Sequence, residues 1–225
     1  MNRRTLLLAS VAAAGAGLIA WRRPPAPIAE WPPAIETKLA LFNGKDLAGW
    51  KQYLPDPKDD PAKTWSVKDG VIHCTGAPNG YLRTEKAFKN YFLVVEWRWA
   101  AQPGNSGVLL HMQREDHVWP YSVEAQLESG NAGDYWLING ATLKVDDARR
   151  NRDAPINVKH LKGAEKPVGE WNRYEITCID GRIVLVINGE LVNVGRDATP
   201  DEGSICLQSE GAPIEFRTVE LTAIP

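Results

Sequence analysis

The sequence lacks an excess of charge of either sign. Its 225 residues carry 26 Lys and Arg against 28 Asp and Glu, which gives a net charge of -2 at pH 7. Nucleic acids and anionic membrane surfaces attract proteins through dense basic patches. The balanced charge therefore argues against nucleic acid as a partner and against an electrostatic contact with a membrane.

Cysteine is scarce. Cys74, Cys178 and Cys206 lie far apart, and no Cys-x-x-Cys pair indicates a zinc site. At most one intramolecular disulfide can form, which excludes a small disulfide-stabilised scaffold. Each cysteine lies in a strand-like run, and Cys178 follows Tyr174 and Ile176 at every second position. We therefore expect small, buried hydrophobic side chains at these positions.

An apolar run long enough to cross a bilayer is missing at the N-terminus. The run over residues 6–21 falls short of the roughly 20 apolar residues of a spanning helix, and it follows the paired arginines Arg3 and Arg4. Residues 1–21 therefore resemble a twin-arginine export signal. An uncleaved anchor is the alternative, because the small residues of a cleavage site lie inside the run. Residues 22–37 contain five prolines and predict an extended tether.

These features predict an exported protein, periplasmic or extracellular. Its one membrane contact would be a tether through the N-terminal segment.

After residue 37 the hydrophobic pattern of the sequence indicates no long amphipathic helix, and the sequence has no internal repeat. It consists mainly of short strand-like runs separated by turn residues. Asp180-Gly181 and Asn188-Gly189 are two-residue hairpin signals. Many short strands with hairpin turns predict one β-sandwich or barrel over residues 38–225. The least strand-like stretch, residues 132–161, contains a charged cluster at 146–153 and predicts a long loop, either solvated or closing over the sandwich.

Alternation along the predicted strands places polar side chains on common faces. Glu96 and Arg98 share one side of the run at 94–99, and His111 falls in register with Leu109. The run at 123–128 aligns three polar residues: Glu124, Gln126 and Glu128. Such rows either face solvent or bind sugars through polar groups beside aromatic platforms. The sequence has nine tryptophans, which suit both a core and stacking against sugar rings.

Several short blocks resemble a known family in their order and spacing. They begin with Leu-Phe-Asn-Gly-Lys-Asp-Leu-Ala-Gly-Trp at 41–50 and continue at 65–72, 105–108, 123–126, 169–172 and 187–189, with Gln208 and Phe216-Arg217 last. Over residues 38–223 the chain is similar to the 3-keto-disaccharide hydrolase family of bacterial β-sandwich proteins. The resemblance implies an all-β fold: a concanavalin-like jelly-roll β-sandwich of two antiparallel sheets with one concave face.

The resemblance also implies a chemistry. Enzymes of that family act on disaccharides or glycosides whose C3 hydroxyl is oxidised to a ketone, which makes the C2 proton acidic. A base removes this proton, the aglycone leaves from C1, and water adds back to give 3-keto-glucose. The route needs a base and a group that stabilises the enolate. It does not need the paired carboxylates of ordinary glycosidases.

These requirements select candidate residues. We expect Glu124 and His111 to transfer protons, and Arg98 to stabilise the enolate or a hydroxyl. The candidates for holding the sugar are Glu96, Gln126, Asp134, Trp136, Gln208 and Glu210. A divalent metal bound by Glu, Asp and His is conceivable as a cofactor, but no compact ligand spacing indicates one.

Two other functions stay open, each with a carbohydrate as the partner. The main alternative is a noncatalytic carbohydrate-binding, lectin-like module on the same fold. A plain glycosidase acting on unoxidised sugar is a third reading, and the sequence shows no glycoside hydrolase motif that favours it.

Overall fold

The computed structural model describes residues 38–146 and 156–225. Short strands dominate these ranges, together with one short helix, α1 (Pro61–Thr64). In chain order the strands are β1 (Lys38–Ala40), β2 (Trp50–Tyr53), β3 (Trp65–Lys68), β4 (Val71–Cys74), β5 (Gly80–Thr84), β6 (Tyr91–Arg98), β7 (Gly107–Gln113), β8 (Tyr121–Gln126), β9 (Tyr135–Ile138), β10 (Thr142–Lys144), β11 (Asn157–Val158), β12 (Asn172–Ile179), β13 (Arg182–Ile187), β14 (Glu190–Thr199), β15 (Ser204–Ser209) and β16 (Ile214–Ala223).

The strands form two antiparallel sheets. The nine-stranded sheet has the order β10-β14-β13-β12-β6-β16-β4-β3, and β1 pairs with β16 beside this path. The seven-stranded sheet has the order β11-β9-β8-β7-β15-β5-β2. This arrangement confirms the predicted all-β, concanavalin-like jelly roll.

The two predicted hairpins are present at the predicted dipeptides. Asp180 and Gly181 join β12 to β13 with φ angles of 47° and 73°, and Asn188 and Gly189 join β13 to β14 with 52° and 83°. Positive φ at both central residues matches the right-handed twist of the flanking strands. Asn, Asp and Gly adopt this conformation at low cost.

The core lies between the sheets. Leu93, Val95 and Trp97 of β6 are fully buried in one cluster with Val123 and Ala125 of β8. Burying each such side chain contributes roughly 1.5–3 kcal/mol. Residues between these positions therefore point to the outer faces. All three cysteines are buried, as expected, and they are free.

The stretch over residues 132–161 was predicted as a long loop, and this prediction was wrong in part. It contains β9, β10 and β11, which have four, three and two residues. Strands this short show too few alternations to be recognised in a sequence. Most of the predicted charged cluster falls on residues 147–155, outside the described ranges.

The predicted export signal and tether, residues 1–37, also lie outside the described residues. Within the part that the structure describes, no helix is long and apolar enough to cross a membrane.

Candidate functional site

A pocket with a volume of about 510 Å³ opens on the outer face of the seven-stranded sheet. This volume lies within the roughly 300–1,000 Å³ of small-molecule sites. Its polar lining residues are Asn105, Glu124, Gln126, Glu128, Asn139 and Glu210. Its large apolar ones are Trp119, Trp136, Leu137, Ile138 and Ile156.

Strand register explains how the polar side chains meet. Gly107 of β7 pairs with Gln126 of β8, and Asn105 forms a bridge with Glu210. Leu207 of β15 pairs with Val108, which places Gln208 beside Gly107. Because every second residue of a strand faces the same side, one row across the sheet reads Gln208-Gly107-Gln126. The next row reads Glu210-Asn105-Glu128.

Glu124 is the most unusual of these side chains. It is only 4% exposed, and its Oε1 is buried without a hydrogen-bond partner among the described residues. Burial raises the pKa of this carboxyl group well above its ordinary value, and the charges of Glu210 and Glu128 raise it further. A carboxyl group in this position can hold a proton near neutral pH.

Gly107 provides the space for that carboxylate. A Cβ atom at this position would lie 2.0 Å from Oε1 of Glu124 and 2.7 Å from its Cδ. Any larger residue would therefore push the carboxylate away from β7. Gly107 thus has a steric function in the site.

Two further carboxylates accompany Glu124. Burial raises the pKa of Glu210, and the charge of Glu128 acts in the same direction, against a hydrogen bond from Asn105. Oε2 of Glu128 accepts a hydrogen bond of 2.8 Å from Asn131. Since neighbouring carboxylates resist simultaneous ionisation, the charge of Glu210 makes Glu124 harder to ionise.

Side-chain amide groups complete the polar part of the site. Gln126 is held in place because its Oε1 accepts hydrogen bonds of 2.8 Å from the backbone N–H groups of Leu127 and Glu128. Within the described ranges, both amide atoms of Gln208 and Oδ1 of Asn105 are buried without partners. An unsatisfied buried polar group costs about 1–3 kcal/mol. A ligand with several hydroxyl groups would satisfy these atoms.

The structure thus brings together five of the nine predicted site residues. Glu124, Gln126, Trp136 and Glu210 line the pocket, and Gln208 lies on the same face beside it. Their chemical roles stay predictions.

His111 does not share the pocket face, so its predicted register was wrong. A bulge between Leu110 and Gln113 shifts the pairing of β7 with β8, and His111 takes a φ of 56°. Its ring packs edge-on against Tyr91 of the core at 5.3 Å, and Nε2 lies 3.1 Å from the carbonyl oxygen of Lys89. Burial lowers its pKa. These contacts hold its ring against the core, away from the pocket.

Glu96 and Arg98 also lie away from the pocket, on the outer face of the nine-stranded sheet. Arg98 donates to Glu215 at 2.5 Å. Glu96 accepts hydrogen bonds from Arg217 at 2.9 Å and from Thr218 at 2.7 Å. Alternation correctly placed both residues on an outer face, but the two sheets have separate outer faces.

Asp134 is buried beneath the site instead of lining it. Its Oδ1 accepts hydrogen bonds of 2.7 Å from the backbone N–H of His160 and lies 2.7 Å from the His160 ring Nδ1. Its Oδ2 accepts a bond of 2.9 Å from Lys159. Asp134 therefore ties the segment after β11 to the start of β9, which carries Trp136.

Sequence reasoning missed Trp119, Ile138 and Ile156. Trp119 lies in the connection between β7 and β8, which has no strand pattern, and Ile138 and Ile156 lie in the stretch predicted as loop. No metal cluster was missed within the described ranges, since no group of three or more His, Cys, Asp or Glu is placed to hold an ion.

Comparisons with known proteins agree with this architecture. A candidate glycosyl hydrolase from Parabacteroides distasonis shares 25% identity and a TM-score of 0.63, covering 84% of this chain and 94% of its own. The carbohydrate-binding module CBM66 from Bacillus subtilis has 11% identity and a TM-score of 0.56, over 76% of this chain and 94% of its own. A β-glucanase from Bacillus licheniformis has 11% identity and a TM-score of 0.53, over 84% and 98%. At 11% identity, the last two proteins are similar to this chain in fold alone.

No curated protein matches the sequence. The model of the 3-keto-alpha-glucoside-1,2-lyase-like domain matches residues 38–222, which span both sheets and every residue that lines the pocket. The chain therefore belongs to the 3-keto-alpha-glucoside-1,2-lyase-like domain family.

Proposed function

We propose that the protein cleaves the glycosidic bond of 3-keto-glycosides or 3-keto-disaccharides by elimination, with Glu124 as the residue that moves the C2 proton. The observation that carries the proposal is the buried carboxylate of Glu124, which has a raised pKa and an oxygen without a partner among the described residues. The side-chain amides of Asn105 and Gln208, in and beside the pocket, also have buried atoms without partners in those ranges. Family membership and the Parabacteroides distasonis protein support a carbohydrate-related function.

A raised pKa suits Glu124 to both proton transfers of this reaction, because the group can take up and release a proton near neutral pH. Ionised Glu124 takes the proton from C2, the electrons form a C1=C2 double bond, and the C1–O bond breaks. The leaving oxygen then needs a proton, which Glu124 can pass on after taking it from C2, since its carboxyl group lies where the sugar meets the aglycone in the proposed pose. Water adds to C1 and a proton returns to C2, which completes hydrolysis.

The amides meet the second requirement of the chemistry. Removing the C2 proton places negative charge on the C3 oxygen, and fixed hydrogen-bond donors stabilise such charge in a site with little water. Gln126, held by two backbone N–H groups, and the buried amide of Gln208 are the donors on this face. They take the role that the sequence assigned to Arg98.

A noncatalytic carbohydrate-binding module is the second candidate function. The buried, unpaired amides favour it equally, because they would bind sugar hydroxyls with or without a subsequent reaction. The two functions differ only in whether Glu124 moves a proton.

The deciding experiment offers the purified protein a 3-keto-glucoside and its unoxidised parent, with and without a chelator. Turnover of the keto sugar alone, with exchange of C2 deuterium into solvent, is the expected result. Glu124→Gln should lower kcat by roughly 10²- to 10⁴-fold while binding survives. Glu96→Gln is the matched control, since that carboxylate lies on the other sheet. Binding without turnover in any metal condition would favour the module.

A further inference from the structure

The pocket has two chemically different ends, and we propose that the apolar end binds a planar aromatic aglycone in preference to a second sugar. This inference rests on the proposed function and names the substrate class. The protein would then act on 3-keto-glycosides of aromatic alcohols more readily than on 3-keto-disaccharides.

Strand register places Glu124 at the boundary between the two ends. On one side of it lie the rows that contain Gln126 and Glu128. Its own row pairs Glu124 with Leu109 of β7 and with Trp136 of β9. The following row pairs Ser122 with Ile138. A glycoside whose reacting C1 and C2 lie at Glu124 would therefore place its sugar against the amides and its aglycone against the apolar rows.

Among the residues that the structure describes, few hydrogen-bonding groups line the apolar end. Its walls are Trp119, Trp136, Ile138 and Ile156. The hydroxyl of Ser122 already donates to the carbonyl oxygen of Pro120 at 3.1 Å. Among the described residues that line this end, Asn139 has the one polar side chain, at the exposed rim.

Two of the side chains that form these walls are unusually exposed to solvent for large apolar groups. Trp119 is 39% exposed and Ile156 is 51% exposed. Neighbouring exposed apolar groups at a pocket rim indicate a ligand that covers them. An aromatic aglycone would remove this surface from water and stack against the indole rings.

A second sugar would fit this end poorly for a physical reason. Each of its hydroxyl groups loses hydrogen bonds to water on entering, and the isoleucine walls offer no replacement. Burying a polar group without a partner costs about 1–3 kcal/mol, so several such hydroxyls outweigh what stacking on one indole contributes. The apolar end therefore discriminates against a disaccharide.

The backbone that carries Trp119 is held in place before any ligand binds. Asp116, in the same β7–β8 connection, accepts hydrogen bonds from Tyr81 at 2.9 Å and from Arg83 at 3.0 Å. The backbone N–H of Trp119 donates to the ring of His117 at 3.2 Å. A preorganised platform binds without an ordering cost, which is consistent with a ligand-binding role.

The experiment measures binding of unoxidised parent glycosides by calorimetry, because they occupy the pocket without reacting. A phenyl glucoside should bind the unaltered protein about tenfold more tightly than trehalose does. Trp119→Ala should remove most of that difference, a loss of up to about tenfold, and leave the trehalose affinity unchanged. Trp119→Phe, which retains an aromatic platform, should restore part of it.

Trp171→Ala is the matched control, because the ring of this tryptophan lies against Arg98 and Arg217 of the nine-stranded sheet, away from the pocket. Trehalose binding as tightly as the phenyl glucoside, or equal losses for both ligands in Trp119→Ala, would overturn the inference. Absence of turnover on every keto sugar would refute the proposed function without affecting these binding results, so the two failures are distinguishable.

Discussion

At the scale of single residues, Glu124 links the chemistry of the pocket to the stability of the protein. Its folded-state pKa is raised above the ordinary value of 4.5. Between pH 4.5 and that raised pKa, the folded state therefore binds more protons than the unfolded state. Under these conditions the free energy of unfolding falls as the pH rises. Glu210 acts in the same direction.

Glu124→Gln should therefore stabilise the protein at pH 8, by on the order of 1–3 kcal/mol, and leave its stability at pH 4 almost unchanged. Urea denaturation at both pH values measures this difference. In the control Glu96→Gln, the sign should reverse. Burial opposes the shift at Glu96, but hydrogen bonds from Arg217 and Thr218 lower its pKa, so its loss should cost more at pH 8. Equal destabilisation by Glu124→Gln at both pH values would contradict the assigned burial effect.

Gly107→Ala tests the steric role of the smallest residue in the site. The new methyl group would overlap Oε1 of Glu124, and this flexible side chain can move aside without disturbing β7. We expect stability within about 1 kcal/mol of the original. Turnover of a 3-keto-glucoside should fall by roughly 100-fold, because a displacement near 1 Å can cost that much.

Gly163→Ala is the comparison for this variant, since the nearest atom to its added Cβ is His160 Nε2 at 3.9 Å. Full activity in Gly107→Ala would show that the carboxylate does not need its observed position.

At the scale of elements, the strands supply the polar end of the pocket and the connections supply much of the apolar end. Asp116 anchors the β7–β8 connection that carries Trp119. Asp134 anchors the segment after β11. Each aspartate thus acts on the pocket through a neighbouring element without lining it.

Asp116→Ala should weaken binding of a phenyl glucoside by several-fold, since Trp119 would then have to be ordered when the ligand binds. Calorimetry measures the affinity. Asp56→Ala, at an exposed turn where Asp56 accepts a hydrogen bond from the backbone of Lys58, is the control and should leave it unchanged. Unaltered affinity in Asp116→Ala would mean that Trp119 keeps its position without this anchor.

Sequence patterns predict the features of this fold that are local. The Asp-Gly and Asn-Gly hairpins, the alternation of β6 and β8 and the grouping of Glu124 with Gln126 all depend on residues a few positions apart. The sheet to which a strand belongs is a long-range property, so Glu96 on β6 and Glu124 on β8 looked equivalent. The bulge at His111 also has no recognisable local signal.

At the scale of the whole molecule, the two outer faces use their polar groups differently. On the nine-stranded sheet, charged side chains are paired with one another, as in the ion pairs of Arg98 with Glu215 and of Arg217 with Glu96. On the seven-stranded sheet, Glu124 and Gln208 keep buried atoms without partners within the described ranges. We therefore expect charge substitutions on the first face to alter stability and those on the second to alter binding.

Export is a prediction that rests on residues 1–21, which lie outside the described ranges. If residues 1–21 are read by the twin-arginine route, replacing Arg3 and Arg4 with lysine should leave the protein in the cytoplasm. Cell fractionation with immunodetection measures the distribution. Unchanged export of this variant would indicate the general secretory route.

The buried thiols have a practical consequence for labelling the protein. Burial raises the pKa of Cys74 to about 11 and that of Cys178 to about 12, and it also raises that of Cys206. Inaccessible thiols with so little thiolate react slowly with maleimides. Asn139→Cys, at the exposed rim of the pocket, would therefore be the preferred site of attachment. A fluorophore placed there can report ligand entry without first removing the native cysteines.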